Sequence, residues 1–226
     1  MAITPDGKYL LTAANRVKPK ATQPALVEAL VKFDEHILEL VRNADRIASL
    51  QLWDVKTGAV VKDFEVPGRI DSVQFIANGR DALVSADKEL LSISDLWGSV
   101  EWRTACTHPP SISAFAVAED INVAITGSAD GTLKAWDLEC WTELYTLTGA
   151  TARVDYVTLG RDGRWAVSTS DDRSVKVWNL ETGKVAMFAA DFSLGTCAAT
   201  EDGHTIVVGD DSGRLHFLKL EGVPSY

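Results

Sequence analysis

Five stretches of this 226-residue chain end alike, and that recurrence constrains the fold more than any single motif. They read "SLQLWDVKTG" at 49–58, "LLSISDLWG" at 90–98, "TLKAWDLEC" at 132–140, "SVKVWNLETG" at 174–183 and "RLHFLKLEG" at 214–222. Aligned on Trp53, Ser94, Trp136, Trp178 and Leu218, they recur at intervals of 41, 42, 42 and 40 residues. A second series keeps step with them: "ITPDGKYLLTA", "FIANGRDALVSA", "VAEDINVAITGS", "LGRDGRWAVSTS" and "ATEDGHTIVVGD". Each copy is an apolar strand end, a turn of the Asp/Asn-Gly kind and another strand. In the third copy the turn has become Asp-Ile-Asn. Gly and Asn accept positive φ, so such turns suit type I′ hairpins. Apolar residues alternate along each segment with the period of a strand.

A unit of about 40–45 residues holding four short strands is the signature of a β-propeller blade. The Trp-Asp pairs at 53–54 and 136–137, the Trp-Asn pair at 178–179 and the Asp-Gly turns resemble the WD-repeat family. The resemblance covers everything except roughly 16–48. It implies an all-β propeller of about five blades, over 1–66, 67–107, 108–149, 150–190 and 191–222. The first has only "MAI" of its opening strand, and the last stops after its third strand. WD rings usually hold more blades and close by lending an N-terminal strand to the last blade. An open ring is therefore expected: a fragment of a larger propeller, an assembly of chains or a truncated product. Its edges and faces would invite pairing with another chain.

The resemblance also implies a buried polar network of a His before the first strand, a Ser/Thr in the second, an Asp in the following turn and the Trp of the third. Every buried polar atom must find a partner, so such a network selects one packing. The third blade carries all four, as His108, Thr126, Asp130 and Trp136. The fourth has Ser168, Asp172 and Trp178, with Ala150 at the His position. The second offers Ser85 and Asp87 without the Trp. The first has Thr12 and Trp53, with the turn between them interrupted, and the fifth has Val208 and Leu218. On this reading His108 is structural.

The interruption is the second constraint. Thr126 precedes Trp136 by 10 residues, but Thr12 precedes Trp53 by 41. After the linker-like "NRVKPKATQP", residues Leu26, Leu30, Phe33, Ile37, Val41, Ala44 and Ala48 recur at helical steps. The expectation is a helical insertion over 16–48 within the first blade. Its face of Leu26, Leu30, Phe33, Ile37 and Val41 is a candidate interaction surface. It could pack on its own propeller, shield an open edge or meet another copy.

Catalytic and metal constellations do not emerge. There is no G-x-S-x-G, H-E-x-x-H or phosphate loop, and His36, His108, His204 and His216 share no metal spacing. The pairs Asp171–Asp172 and Asp210–Asp211 read as turn-capping carboxylates. No cofactor is expected. The net charge of −10 disfavours nucleic acid as a partner. No apolar run reaches the roughly 18–20 residues of a membrane helix. Three scattered cysteines, Cys106, Cys140 and Cys197, suit reduced thiols in a cytoplasmic protein. Trp97, Trp102, Trp141 and Trp165 lie outside the repeat position and are either packing between blades or anchors for a partner.

The expected function is a non-catalytic protein–protein interaction scaffold or sensor, with an unidentified protein or other copies of the chain as partners. The alternatives are a structural protein that oligomerises through the insertion or open edges and, more remotely, a propeller hydrolase. The texture of "SDDRSVKVWNLETGK" and "GDDSGRLHFLKLEG" resembles the C-terminal propellers of bacterial signal-transducing ATPases of the apoptotic type. That resemblance implies a signalling role beside a nucleotide-binding domain.

Overall fold

The computed structural model describes residues 1–17, 46–160, 163–180, 182–200 and 205–219. The described residues form five antiparallel sheets in chain order, and each hairpin is local. The first comprises β1 (Ala2–Ile3), β2 (Tyr9–Val17), β3 (Arg46–Asp54) and β4 (Ala59–Pro67). The second holds β5 (Ile70–Ile76), β6 (Asp81–Ala86), β7 (Glu89–Ser94) and β8 (Glu101–Thr107). The third holds β9 (Ile112–Ala118), β10 (Val123–Ser128), β11 (Leu133–Asp137) and β12 (Glu143–Leu147). The fourth holds β13 (Val154–Leu159), β14 (Trp165–Ser170), β15 (Ser174–Asn179) and β16 (Val185–Ala189). The fifth has three strands, β17 (Leu194–Ala199), β18 (Thr205–Asp210) and β19 (Leu215–Lys219).

Successive sheets pack through their first strands β5, β9, β13 and β17, and the first sheet joins the line through β2 and the short β1. Among the described residues no strand of the fifth sheet makes more than marginal contact with the first, so the arc is open. No described helix is long and apolar enough to cross a membrane.

The three inner sheets are apolar on both faces because each is covered on both. Ile125, Leu133 and Ala135 of the third sheet bury themselves against Val157, Ala166 and Trp178 of the fourth. The other face of the third sheet, Phe115, Ala124 and Trp136, packs on Leu83 and Leu90 of the second. Trp165, Val167 and Val175 meet Leu194, Cys197, Ile206 and Val208 across the next boundary. The remaining tryptophans serve these boundaries too. Trp97 lies 4.3 Å from Tyr9 and donates its N–H to the Gly79 carbonyl, Trp102 meets Phe64 edge-on, and Trp141 packs beside Trp136.

Three sequence expectations change. The ladder sets Trp53 opposite Leu10, Trp136 opposite Ala124 and Trp178 opposite Ala166. In the second sheet the equivalent pair is Ile93 with Ala82, so Ile93 and not Ser94 stands at the Trp position. The cause is a hairpin one residue shorter: Ser85 faces Leu90 there, whereas Gly127 faces Leu133. A one-residue slip moves a side chain to the other face. Val84 therefore takes the Ser/Thr position, and Ser85 points the other way, its hydroxyl serving the backbone of Ser72.

The first-to-second-strand turns are not type I′, which needs two consecutive positive φ values. Three close on one left-handed residue, Gly7 (φ 70), Asn122 (φ 58) or Gly163 (φ 66), and in the second sheet both Ala77 (φ 52) and Gly79 (φ 82) are left-handed. Asn122 replaces glycine because its side chain tolerates that conformation.

The insertion expected over 16–48 is shorter at both ends. β2 and β3 stay paired out to Val17 opposite Arg46, and Ala48, expected on the helical face, is a fully buried strand residue. The rest of that insertion, including Leu26, Leu30, Phe33, Ile37 and Val41, lies outside the described residues.

Gly131 shows how tightly the turns seat against the next sheet. Its φ is 85°, and a Cβ there would stand 2.6 Å from the Ala150 carbonyl oxygen and 2.8 Å from that of Ala152. Gly131→Ala is expected to cost about 2 kcal/mol or more through backbone strain and collision. That lowers the melting temperature by roughly 4–8 °C. An unchanged melting temperature by circular dichroism would contradict this seating.

Candidate functional site

The polar network of the third sheet is a directed chain of hydrogen bonds. Trp136 Nε1–H donates to Thr126 Oγ1 at 2.9 Å. Thr126 Oγ1 lies 2.8 Å from His108 Nδ1, and His108 Nε2 lies 2.8 Å from Thr132 Oγ1. Thr132 Oγ1 then donates to Asp130 Oδ1 at 2.7 Å. Carboxylate can only accept, so Thr132 donates to Asp130 and takes the His108 Nε2–H, while the Thr126 oxygen accepts the indole N–H and keeps its own proton for Nδ1 of the neutral ring. Thr126 donates to Nδ1, and Nε2–H donates to Thr132, which requires a neutral imidazole. Burial holds the His108 pKa down, to about 4, against the opposite pull of the Asp130 charge. The expected four-member network thus has a fifth member: Thr132 intervenes between His108 and Asp130.

The other sheets solve the same problem differently. Trp53 Nε1 donates to Thr12 and Trp178 Nε1 to Ser168, both at 2.9 Å. In the fourth sheet Ala150 leaves the imidazole position empty, and Lys176 reaches Asp172 at 2.8 Å and also Ser174. Asp172 therefore belongs to a lysine cluster and not to the Trp178–Ser168 pair. Its hydrogen bonds from Lys176, Ser174 and the Thr151 backbone hold its pKa well below the carboxylate range, against the desolvation of burial. In the fifth sheet His216 Nε2 meets Asp210 at 2.8 Å. Where the Trp is missing, its hydroxyl partner is missing too: the second sheet pairs Ile93 with Val84 and the fifth Leu218 with Val208. Replacing both partners of a hydrogen bond by apolar groups is nearly neutral, whereas replacing one is not.

None of these groups faces an open site. The accessible constellation lies where the first strands of the sheets begin, and sequence reasoning did not assemble it. Those strands open Ile70-Asp71, Ile112-Ser113, Val154-Asp155 and Leu194-Gly195. The carbonyls just before them, of Arg69, Ser111, Arg153 and Ser193, each accept the N–H of a second-hairpin residue: Asp87, Ala129, Asp171 and Asp211, at 3.0–3.2 Å. One repeated backbone bond thus brings two positions per sheet together at this end of the sheets.

Arg153 ties non-adjacent sheets. Its Nη2 stands 3.5 Å from Asp71 Oδ1, and its Nε 3.5 Å from Asp155 Oδ1. Arg69 Nη2 completes the cluster, 2.8 Å from Asp71. Ser113, on the sheet between, is small and turned inward, its hydroxyl bonded to the Val154 and Gly127 carbonyls. Arg153 Nε makes no hydrogen bond, so its 3.5 Å approach to Asp155 is a purely electrostatic contact. Asp155 is left with an excess of negative neighbours. Burial, then the charge and hydrogen bond of Asp171, push its pKa up, with Asp211 adding to the effect and Arg153 opposing it. The sequence signal was the repeated Arg-aliphatic-Asp of 69–71 and 153–155, two repeats apart.

Cys106 and Cys197 are buried, and desolvation raises both thiols to about 12. Among the described residues no group of His, Cys, Asp and Glu is arranged to hold a metal ion.

Comparison with known proteins follows this geometry. The family described as WD domain, G-beta repeat matches residues 102–137 and 141–179, so the chain contains WD repeats. The first match runs from β8 to β11. It begins on the last strand of one sheet and ends on the third strand of the next, so the covalent repeat joins two sheets. The chain is 30% identical over 179 residues to the nuclear distribution protein PAC1 of Arthroderma benhamiae, covering 72% of this chain and 39% of the relative. It is 28% identical over 172 residues to transducin beta-like protein 3 of Bos taurus, covering 73% and 21%. It is 26% identical over 175 residues to the nuclear distribution protein nudF of Aspergillus niger, covering 68% and 39%. The chain therefore spans about two-fifths or less of the length of these relatives.

Two outcomes test the site. His108→Ala is expected to cost about 1–3 kcal/mol by stranding Thr126 and Thr132. The imidazole pKa falls on folding, so its stabilising effect is full above pH 6.5 and is lost as pH falls towards 4. That loss is about 2–3 kcal/mol, and the acid dependence of the unfolding free energy should shrink accordingly in His108→Gln. Asp155 has the opposite sign. Its pKa rises on folding, so its ionisation destabilises the fold above the ordinary carboxylate range. Asp155→Asn should therefore stabilise by about 1 kcal/mol at pH 8 and not at pH 4. Equal melting curves at both pH values would refute the crowding of charge around it.

Proposed function

We propose that this chain is a non-catalytic protein-interaction scaffold whose acidic mouth receives a basic segment of a protein partner. The observation that carries this reading is the charge constellation at the start of the inner strands. Asp71, Asp155, Asp171 and Asp211 outnumber Arg69 and Arg153 there; Asp71 and Asp155 lie at irregularities near the starts of β5 and β13, and Asp171 and Asp211 in turns whose N–H groups are held by the Arg153 and Ser193 carbonyls. A cation arriving at Asp155 would relieve the repulsion that raises its pKa, so binding and the local instability are the same electrostatic term. The overall charge of −10 adds long-range attraction for such a segment. The WD repeats support a scaffold, since such modules typically bind proteins. The three free cysteines fit a reducing, cytoplasmic setting.

The finer reading is a sensor propeller beside a nucleotide-binding domain, as in bacterial signal-transducing ATPases. It rests on the repeat texture of 170–184 and 209–222 alone. A nucleotide-binding domain encoded in the same polypeptide would support it.

Fluorescence anisotropy with Lys/Arg-rich and Asp/Glu-rich peptide libraries tests the mouth. Basic peptides should bind, with affinity falling as salt rises. Asp155→Asn, the more stable variant, should bind them several-fold more weakly. Equal affinity for both libraries, or no effect of Asp155→Asn, would overturn the assignment.

A further inference from the structure

Arg153 reaches two carboxylates and closes on neither. Its Nη2 stands 3.5 Å from Asp71 Oδ1 and its Nε 3.5 Å from Asp155 Oδ1. A charge-assisted bond between guanidinium and carboxylate closes to about 2.7–2.9 Å. Arg69 does so on Asp71, at 2.8 Å. The Arg153 Nε–H, by contrast, is buried and donates to no acceptor. A buried N–H without a partner is rare enough to need a reason. Here the guanidinium is suspended between two seats.

The two seats are unequal. Asp71 already holds Arg69, so a second guanidinium there meets a carboxylate with a partner. Asp155 faces Asp171 and Asp211, from the turns after β14 and β18, and Arg153 on its own strand opposes them. There is also room beside these carboxylates. Asp71, Ser113 and Asp155 hold the second position of their first strands, and on β17 that position is Gly195. A Cβ added to Gly195 would meet only Asp211 Oδ1, at 4.0 Å. The fifth sheet thus leaves open a place that its neighbours fill with a side chain.

We propose, on the premise that the mouth receives a basic segment, that Arg153 is the internal stand-in for the partner's cation. It covers Asp155 in the free protein and withdraws to Asp71 when a lysine or arginine side chain of the partner takes the Asp155 seat. The move forfeits no hydrogen bond at Nε, because none is made there. A carboxylate offers about four lone-pair sites, so Asp71 can serve both arginines. The contact is autoinhibitory. Apparent affinity is the intrinsic affinity reduced by the fraction of molecules in which Asp155 is uncovered.

Calorimetric titration with a Lys-rich peptide at pH 8, where Asp155 is ionised, tests this on the parent and three variants. Arg103, on β8, is exposed and remote in the chain, so Arg103→Gln makes the same change of net charge without touching the seat. Arg153→Gln should bind the peptide more tightly than Arg103→Gln does, by about three- to tenfold. Asp71→Asn removes the alternative seat and should weaken binding, and that weakening should vanish in the Arg153→Gln background. A second readout needs no peptide. By carbon-13 NMR, Asp71→Asn should lower the titration midpoint of the Asp155 carboxyl, and by less when Arg153 is Gln. Equal affinities for Arg153→Gln and Arg103→Gln, or an Asp71→Asn shift indifferent to Arg153, would overturn the stand-in. With peptide still bound by the parent, either result leaves the basic-segment mouth standing. No binding by any variant removes both.

Discussion

A four-stranded sheet that is apolar on both faces cannot be buried by itself, and the rest of this structure follows from that requirement. Each of the four core clusters is shared between sheets: Leu52 with Val84 and Ile93, Leu83 with Phe115 and Trp136, Ile125 with Trp178, Val167 with Leu194. No sheet owns a core. Stability is therefore approximately a sum over neighbouring pairs, as in other stacked repeats.

Within that apolar frame the polar insertions obey a rule of complete pairs. Trp136 with Thr126, Trp178 with Ser168 and Trp53 with Thr12 keep both members, and Ile93 with Val84 and Leu218 with Val208 keep neither. A lone indole N–H or a lone hydroxyl at these depths would forfeit its hydration without return. The carboxylates behind them are likewise held, Asp130 by Thr132, Asp172 by Lys176 and Ser174, and Asp210 by Ser212 and His216. The partner changes between sheets, from hydroxyl to ammonium to imidazole, but the acceptor is never left open. Both ring nitrogens of His108 are committed to hydroxyl partners, Thr126 and Thr132.

The mouth departs from that economy. Asp155 is crowded by Asp171 and Asp211, and Arg153 meets it without a hydrogen bond. A site that costs stability in the free protein and is positioned by repeated backbone bonds has the properties expected of a recognition surface.

The sequence by itself determined the WD repeat and the all-β, stranded character of the chain. Strand periodicity and a fixed interval are local properties that survive in one dimension. It could not place Ile93, because a hairpin shorter by one residue shifts the ladder without disturbing the spacing of the motifs enough to reveal it. It misplaced Ser85 for the same reason, since a strand's two faces differ by a single step. It extended the inserted segment into β2 and β3, because Ala48 fits a helical stripe and a strand face equally well until its partner across the ladder is known. Only the tertiary structure decided that Arg69, Asp71, Arg153, Asp155 and Asp171 share one mouth. Residues two repeats apart become neighbours through the stacking of sheets between them, and that distance is set by packing, not by sequence separation.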